Sequence, residues 1–168
     1  MSNNKLGRPT DQRMAVLRNQ VSYLFKHGRI ETSVAKAKDV ASKAEKILTL
    51  AINTYEDNVK VTKTITENGA KVQKEIVNDV PKKLAARRKI MAFVYDIPEE
   101  RQEKESLESY KARTEGINYP LVEKIFNVYA PKYAERAKEL GTAGGYTRVI
   151  KTSTRKGDAG ELAIVELI

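Results

Sequence analysis

The 168 residues are about one domain's worth, enough for a real hydrophobic core. The 31 Lys and Arg against 22 Asp and Glu give a formal charge of +9, which calls for a polyanion partner, either nucleic acid or an anionic membrane surface. No cysteine is present, which excludes disulfides, cysteine-based zinc ribbons and thiolate catalysis.

The longest uncharged stretch, Ile47–Tyr55, is too short to cross a membrane. Lys5, Arg8 and Arg13 are followed by no apolar run of the signal-peptide kind, so the chain reads as soluble and intracellular. Positive charge is concentrated early. Residues 1–50 carry ten Lys and Arg against four Asp and Glu, whereas the remainder carries 21 against 18. Within that remainder "KKLAARRK" (Lys82–Lys89) has five bases and no acid. "GGYTRVIKTSTRKGDAG" (Gly144–Gly160) has four bases and one acid, Asp158. Any one such cluster could be an ordinary solvated face. Three in one small chain point to a polyanion site.

Residues 1–10 are polar, with Gly7 and Pro9, and are expected to form an extended basic tail without an apolar anchor. Thr10 can cap a first helix, in which Met14, Leu17, Val21, Leu24 and Phe25 share a face and Gly28 is the stop. Arg13 and Arg18 flank that face. "RIETS" (Arg29–Ser33) reads as an extended link, with Thr32 or Ser33 capping the next helix. Val34, Ala37, Ala41, Ala44, Leu48, Ala51 and Tyr55 then recur at helical spacing, and the alanines let a neighbour approach closely.

The period then changes to two. "VKVTKTIT" and "AKVQKEIV" flank Glu67–Gly69, and an Asn-Gly pair between β-branched runs is a strong hairpin signal. Such a hairpin closes on itself, so removal of Asn58–Asn78 is expected to leave the fold intact. Pro81 opens a helix with Leu84, Met91 and Val94 or Tyr95 inward and Arg87 and Arg88 at its front. Glu99–Glu115 is highly charged and predicted helical. Pro120 opens a further helix that Pro131 interrupts or restarts and Gly141 ends. Tyr146–Ser153 and Leu162–Ile168 read as two strands, the second with Ala163, Val165 and Leu167 on one face.

Catalytic machinery is not evident. No glycine-rich loop ends in Gly-Lys-Ser/Thr, no Gly-x-Gly-x-x-Gly follows a strand, and His27 is the sole histidine. Asp158 reads as a turn residue rather than a base. Neither a cofactor, a metal nor a small-molecule substrate is expected. The candidate nucleic-acid contacts are Arg8, Arg13, Arg18, Lys36, Arg87, Arg88, Arg148, Arg155 and Lys156, with Lys5 and Lys151 beside them. Tyr146 either stacks on an exposed base or caps the core. Gly144 and Gly145 are expected to let the backbone pass close to RNA.

An ordered series of motifs goes further: "LGRP" at Leu6–Pro9, "RMAVLRN" at Arg13–Asn19, "HGRIETS" at His27–Ser33, "AKAKDV" at Ala35–Val40, "EKILTLA" at Glu45–Ala51 and "AARRK" at Ala85–Lys89. "IFNVYAPKYAERA" at Ile125–Ala137 and "GGYTRVIKTSTRKGDAGELAIVEL" at Gly144–Leu167 complete it. In these the sequence resembles the family of the seventeenth protein of the bacterial large ribosomal subunit. The resemblance implies an α+β fold of two layers, several helices packed on a small sheet, with an inserted β-hairpin. It implies a single RNA-binding domain over 11–168, with insertions at about 57–80 and 98–118. It further implies a cytoplasmic, ribosome-bound structural protein that binds large-subunit (23S) ribosomal RNA and serves translation, beside other ribosomal proteins near the nascent-chain exit. The alternatives are an RNA-processing enzyme, which would need a cofactor loop or metal-binding acid cluster, and a basic module for DNA or a protein, which would need one continuous basic helix face.

Overall fold

Apolar spacing places most of the elements in a computed structural model, which describes residues 4–67 and 70–168. Residues 5–8 form a turn rather than an extended tail, with the Arg8 amide donating to the Lys5 carbonyl at 3.0 Å. Leu6 is the anchor that the sequence reading did not see, since it packs against the edge of the core. Pro9, not Thr10, is the N-cap of α1 (Thr10–His27). Leu17, Val21, Leu24 and Phe25 are buried along that helix, and Gly28, in the left-handed conformation, ends it.

"RIETS" is a strand and not a link. This β1 (Arg29–Ser33) leads directly into α2 (Val34–Ile52). Helix α2 is central, touching α1, the sheet and the later helices. Its buried face contains Val40 and Ile47 as well as the expected Ala37, Ala44, Leu48 and Ala51. Each fully buried Leu or Ile contributes about 1.5–3 kcal/mol of transfer free energy.

Strands β2 (Asn58–Glu67) and β3 (Ala70–Asp79) pair antiparallel from Asn58 opposite Asp79 to Glu67 opposite Ala70, as a separate two-stranded sheet. The expected Asn-Gly turn falls on 68–69, outside the described residues. Pro81 opens α3 (Pro81–Phe93), which buries Lys83, Ala86 and Ile90, while the expected Leu84 and Met91 are only half-buried. Of the predicted helix over Glu99–Glu115, only α4 (Leu107–Thr114) forms. Ser106 caps it by accepting from the Ser109 amide. Upstream the chain has no helical repeat, because Arg113 gathers Glu99 and Glu105 into ion pairs that fold the segment back on itself.

From Pro120 the chain runs through α5 (Pro120–Lys124), one π-helical turn (Ile125–Tyr129) and α6 (Ala130–Leu140). Pro131 does not break this run. The wide turn has already shifted the bonding, so that the Ala130 amide reaches back five residues to Ile125, and a proline without an amide hydrogen fits in the next turn. Strands β4 (Thr147–Thr154) and β5 (Glu161–Leu167) then complete a sheet ordered β1-β5-β4, antiparallel throughout, with Ile30 opposite Val165 and Val149 opposite Val165. Ala163 and Val165 are buried beneath it, and Leu167 is half-buried on the same face. Rings of Phe25, Tyr129, Tyr133 and Tyr146 follow one another through the core at centroid separations of 6.2, 6.4 and 5.0 Å. Helices on one face of a small sheet, plus a hairpin, make the fold a two-layer α+β one.

Candidate nucleic-acid interface

Folding divides the cations into those spent inside the protein and those left outside. "KKLAARRK" is the clearest case. Lys83 is buried, donating to the Tyr55 carbonyl at 2.9 Å and Asn58 Oδ1 at 2.7 Å, with Asp79 at 3.5 Å. Arg87 Nε donates to Asp79 Oδ2 at 2.5 Å, its Nη1 meets Glu123, and its guanidinium lies 5.0 Å from the Phe126 ring centroid. Arg87 therefore joins the hairpin's base to α3 and α5 and is not a ligand-facing group, contrary to the sequence reading. Burial by itself would raise the Asp79 carboxyl's pKa, but the Arg87 hydrogen bond and the charges of Arg87 and Lys83 outweigh it and hold it below the ordinary value. The hairpin is thus fastened at its root. Removing Asn58–Asn78 would take Asn58 from Lys83, so a tolerated deletion has to spare Asn58 and Asp79. Arg88 and Lys89, by contrast, are exposed.

Arg18 is also withdrawn from the contact set. Its Nε and Nη2 donate to the carbonyls of Phe93 and Ala92, both at 2.8 Å, and its guanidinium lies 4.8 Å from the Tyr95 ring centroid. These are carbonyls at the end of α3, where a helix leaves acceptors without partners and a cation is favoured. Ser22 completes the joint, donating to the Arg18 carbonyl and accepting from the Tyr95 amide. Arg18→Met is expected to lower stability by about 2 kcal/mol, because it removes charge-assisted hydrogen bonds to partly buried acceptors. Urea unfolding of the variant measures this.

Tyr146 resolves to the core. It is 4% exposed, with Tyr133 packed on it, so its ring is not open to a base. Burial pushes the Tyr133 hydroxyl up to about 12, and this protonated group stands 3.5 Å from the Tyr146 carbonyl. Gly144 and Gly145 have φ of 102° and 61°, and nothing lies within 4 Å of where a Cβ would stand. Within the protein it is torsion, not crowding, that requires glycine there.

One group of the remaining cations gathers beside α1 and α2. Lys5 and Arg13 meet Lys38, Lys43 and Lys46 of α2 around a cleft of about 330 Å³ that also has Asn4, Met14, Leu17, Asp39 and Ser42 in its wall. Five bases and one acid line it. A second depression joins Asn4, Ser33 and Lys38 to Gly160 and Glu161, so the β4–β5 turn borders the same region. In that turn Arg155 makes two hydrogen bonds to Asp158, at 3.0 and 2.7 Å, and Asp158 accepts from the Gly160 amide at 3.2 Å. A Cβ on Gly160 would stand 2.9 Å from Arg155 Nη2, so glycine leaves room for this clasp. Asp158 holds the turn, as the sequence implied, and Lys156 projects from it, exposed. Arg148 and Lys151 have only loose, exposed carboxylate neighbours, Glu166 at 3.9 Å and Glu161 at 3.3 Å. Such pairs are worth little and exchange readily for phosphate. Arg8 is exposed and Lys36 half-buried, neither with an ion-pair partner among the described residues.

Lys38, Lys43 and Lys46 are the residues that sequence reasoning missed. Their signal was present: lysines recur on α2 opposite its alanine face, at spacings of five and three. What was not visible was that Lys5 and Arg13 would come to stand across from them.

A small basic α+β protein with a cation-lined cleft between its first two helices has the makings of a ribosomal component. The sequence profile of the family described as ribosomal protein L17 matches residues 16–168. Among curated proteins, the chain is similar to the large ribosomal subunit protein bL17 of Acetivibrio thermocellus, 35% identical and spanning 98% of this chain and 97% of that one. It is likewise similar to bL17 of Clostridium tetani, 38% identical over 98% and 96% of the two chains, and of Clostridium acetobutylicum, 37% identical over 98% and 95%. The chain belongs to the ribosomal protein L17 family, a family of structural components rather than enzymes.

Proposed function

We propose that the protein is a structural constituent of the large ribosomal subunit and binds its ribosomal RNA through the α1–α2 cleft and the β4–β5 turn. The observation that carries this is the cleft itself, where Lys5, Arg13, Lys38, Lys43 and Lys46 converge around a single acid. Phosphates neutralised there release condensed counterions, which supplies affinity without reading sequence. RNA helices present their backbone and shape more readily than their narrow major groove, and a rigid basic cleft suits that. Family membership supports a place on the ribosome, and the resemblance described above supports neighbours among the large-subunit proteins close to the nascent-chain exit.

Two measurements test this. The protein should co-sediment with large subunits. Filter binding to large-subunit ribosomal RNA across a salt series should give a log–log slope of about −4 to −5, the value for the five cleft cations plus Lys156. A flat salt response would remove phosphate contact as the main term.

A further inference from the structure

Most aromatic side chains already have a use inside the protein. Phe25, Phe126, Tyr129, Tyr133 and Tyr146 are core. Tyr55 and Tyr110 donate their hydroxyls to Glu56 and the Glu99 carbonyl, and Tyr95 carries the Arg18 guanidinium. Tyr23 and His27 are different. One helical turn apart on α1, their rings lie nearly parallel, at 10°, with centroids 5.7 Å apart. Tyr23 is 45% exposed and His27 is exposed as well. The Tyr23 hydroxyl has no hydrogen-bond partner among the described residues.

The helix face around them is unusual for so charged a chain. Ala15 and Asn19, the exposed positions preceding Tyr23 at helical spacing, are small and uncharged, so they leave the ring open from that side. Arg29 follows just beyond, exposed and without an ion pair among the described residues. Glu100, bonded to Lys26, is the acid that faces His27.

The geometry points to a stacking platform: Tyr23 and His27 together receive an unpaired base of the ribosomal RNA, with the exposed Arg29, two residues further along the chain, available for its phosphate. This rests on the RNA-binding reading above and extends it to a second kind of contact. A protein partner is the less suitable occupant, because the stripe offers no aliphatic anchor to fill a pocket. Flat, parallel, exposed rings are instead what a splayed-out base stacks on, and such stacking is tolerant of base identity. The platform lies about 15 Å along α1 from Arg13, so one RNA can engage the cleft and the platform together.

The test uses the full chain and large-subunit ribosomal RNA. Tyr23→Leu retains helix propensity and charge, and is expected to weaken binding about tenfold while leaving the salt slope unchanged. Tyr23→Phe, which keeps the ring and loses only an unbonded hydroxyl, should bind as wild type does. Base-methylation footprinting should show one protected unpaired base that becomes reactive with Tyr23→Leu while backbone protections persist. Unchanged affinity and footprint for Tyr23→Leu would overturn the platform. So would a variant that binds naked RNA normally yet enters subunits poorly, since that outcome assigns the face to a protein. If wild type itself bound RNA without salt dependence, the broader reading would fail instead, and the two failures are therefore separable.

Discussion

Asp79→Ala should lower the unfolding free energy by about 3 kcal/mol, the lower end of the range for breaking a buried ion pair from one side. At this chain length that corresponds to a fall of about 6–12 °C in Tm. The reason lies in what the substitution leaves behind. Lys83 is 7% exposed at its side chain, and Asp79, at 17%, is the acid it shares with Arg87. Without that acid a buried ammonium retains two neutral acceptors but no counter-charge. The Asp79 carboxyl is held below its ordinary value of 3.8 by Arg87 and Lys83, against the opposing pull of burial. A carboxyl with a depressed folded-state pKa stabilises the fold fully above the unfolded value and loses that contribution as pH falls through the folded one. The gap between wild type and Asp79→Asn should therefore be constant near neutrality and close below about pH 4. Thermal unfolding of both proteins across pH measures it. A variant within about 0.5 kcal/mol of wild type at pH 7 would mean that the hairpin root is an ordinary surface contact.

This cluster also shows where a sequence stops being informative. Helix α2 was legible because its alanines and leucines keep a 3.6-residue period over five turns. The hairpin and β5 were legible because their alternation is local. Strand β1 was not, since only Ile30 is strongly apolar in it and its pairing partner lies at the opposite end of the chain. The segment Glu99–Glu115 has helix-forming composition, yet the contacts of Arg113 with Glu99 and Glu105 span fourteen and eight positions and favour a folded loop. The same limit governs the site. Arg18 and Arg87 look no different from Arg13 and Arg88 in the sequence. What separates them is a pair of carbonyls 74 and 75 residues away for Arg18, and Glu123 together with Asp79 for Arg87. Charge density announced a polyanion partner; only packing decided which charges remain to meet it.

Replacing Lys38, Lys43 and Lys46 together with glutamine should flatten the salt dependence of RNA binding more than any other change of three charges. The three lysines stand on one helix and face Lys5 and Arg13 across the cleft, so they act on one stretch of phosphates rather than on separate strands. Each lost phosphate contact reduces the log–log slope by about 0.7–0.9, which makes the expected change about 2–3 for the triple variant. Affinity should fall most at low salt and converge with wild type as salt rises, since screening removes the same term that the substitutions remove. Fold stability should be nearly unchanged. Lys38 and Lys46 are exposed, none of the three has an ion-pair partner among the described residues, and glutamine is close to lysine in helix propensity. The comparison that gives this its force is Lys82, Arg88 and Lys89 changed to glutamine, an equal charge loss on the outer face of α3. If phosphate binding is a matter of net charge alone, both triples flatten the slope equally. If the cleft binds the backbone, the α2 triple changes it by about 2–3 and the α3 triple by less than about 1. Equal slopes from filter binding of the two variants would refute the cleft as the site and return the basic surface to a diffuse field.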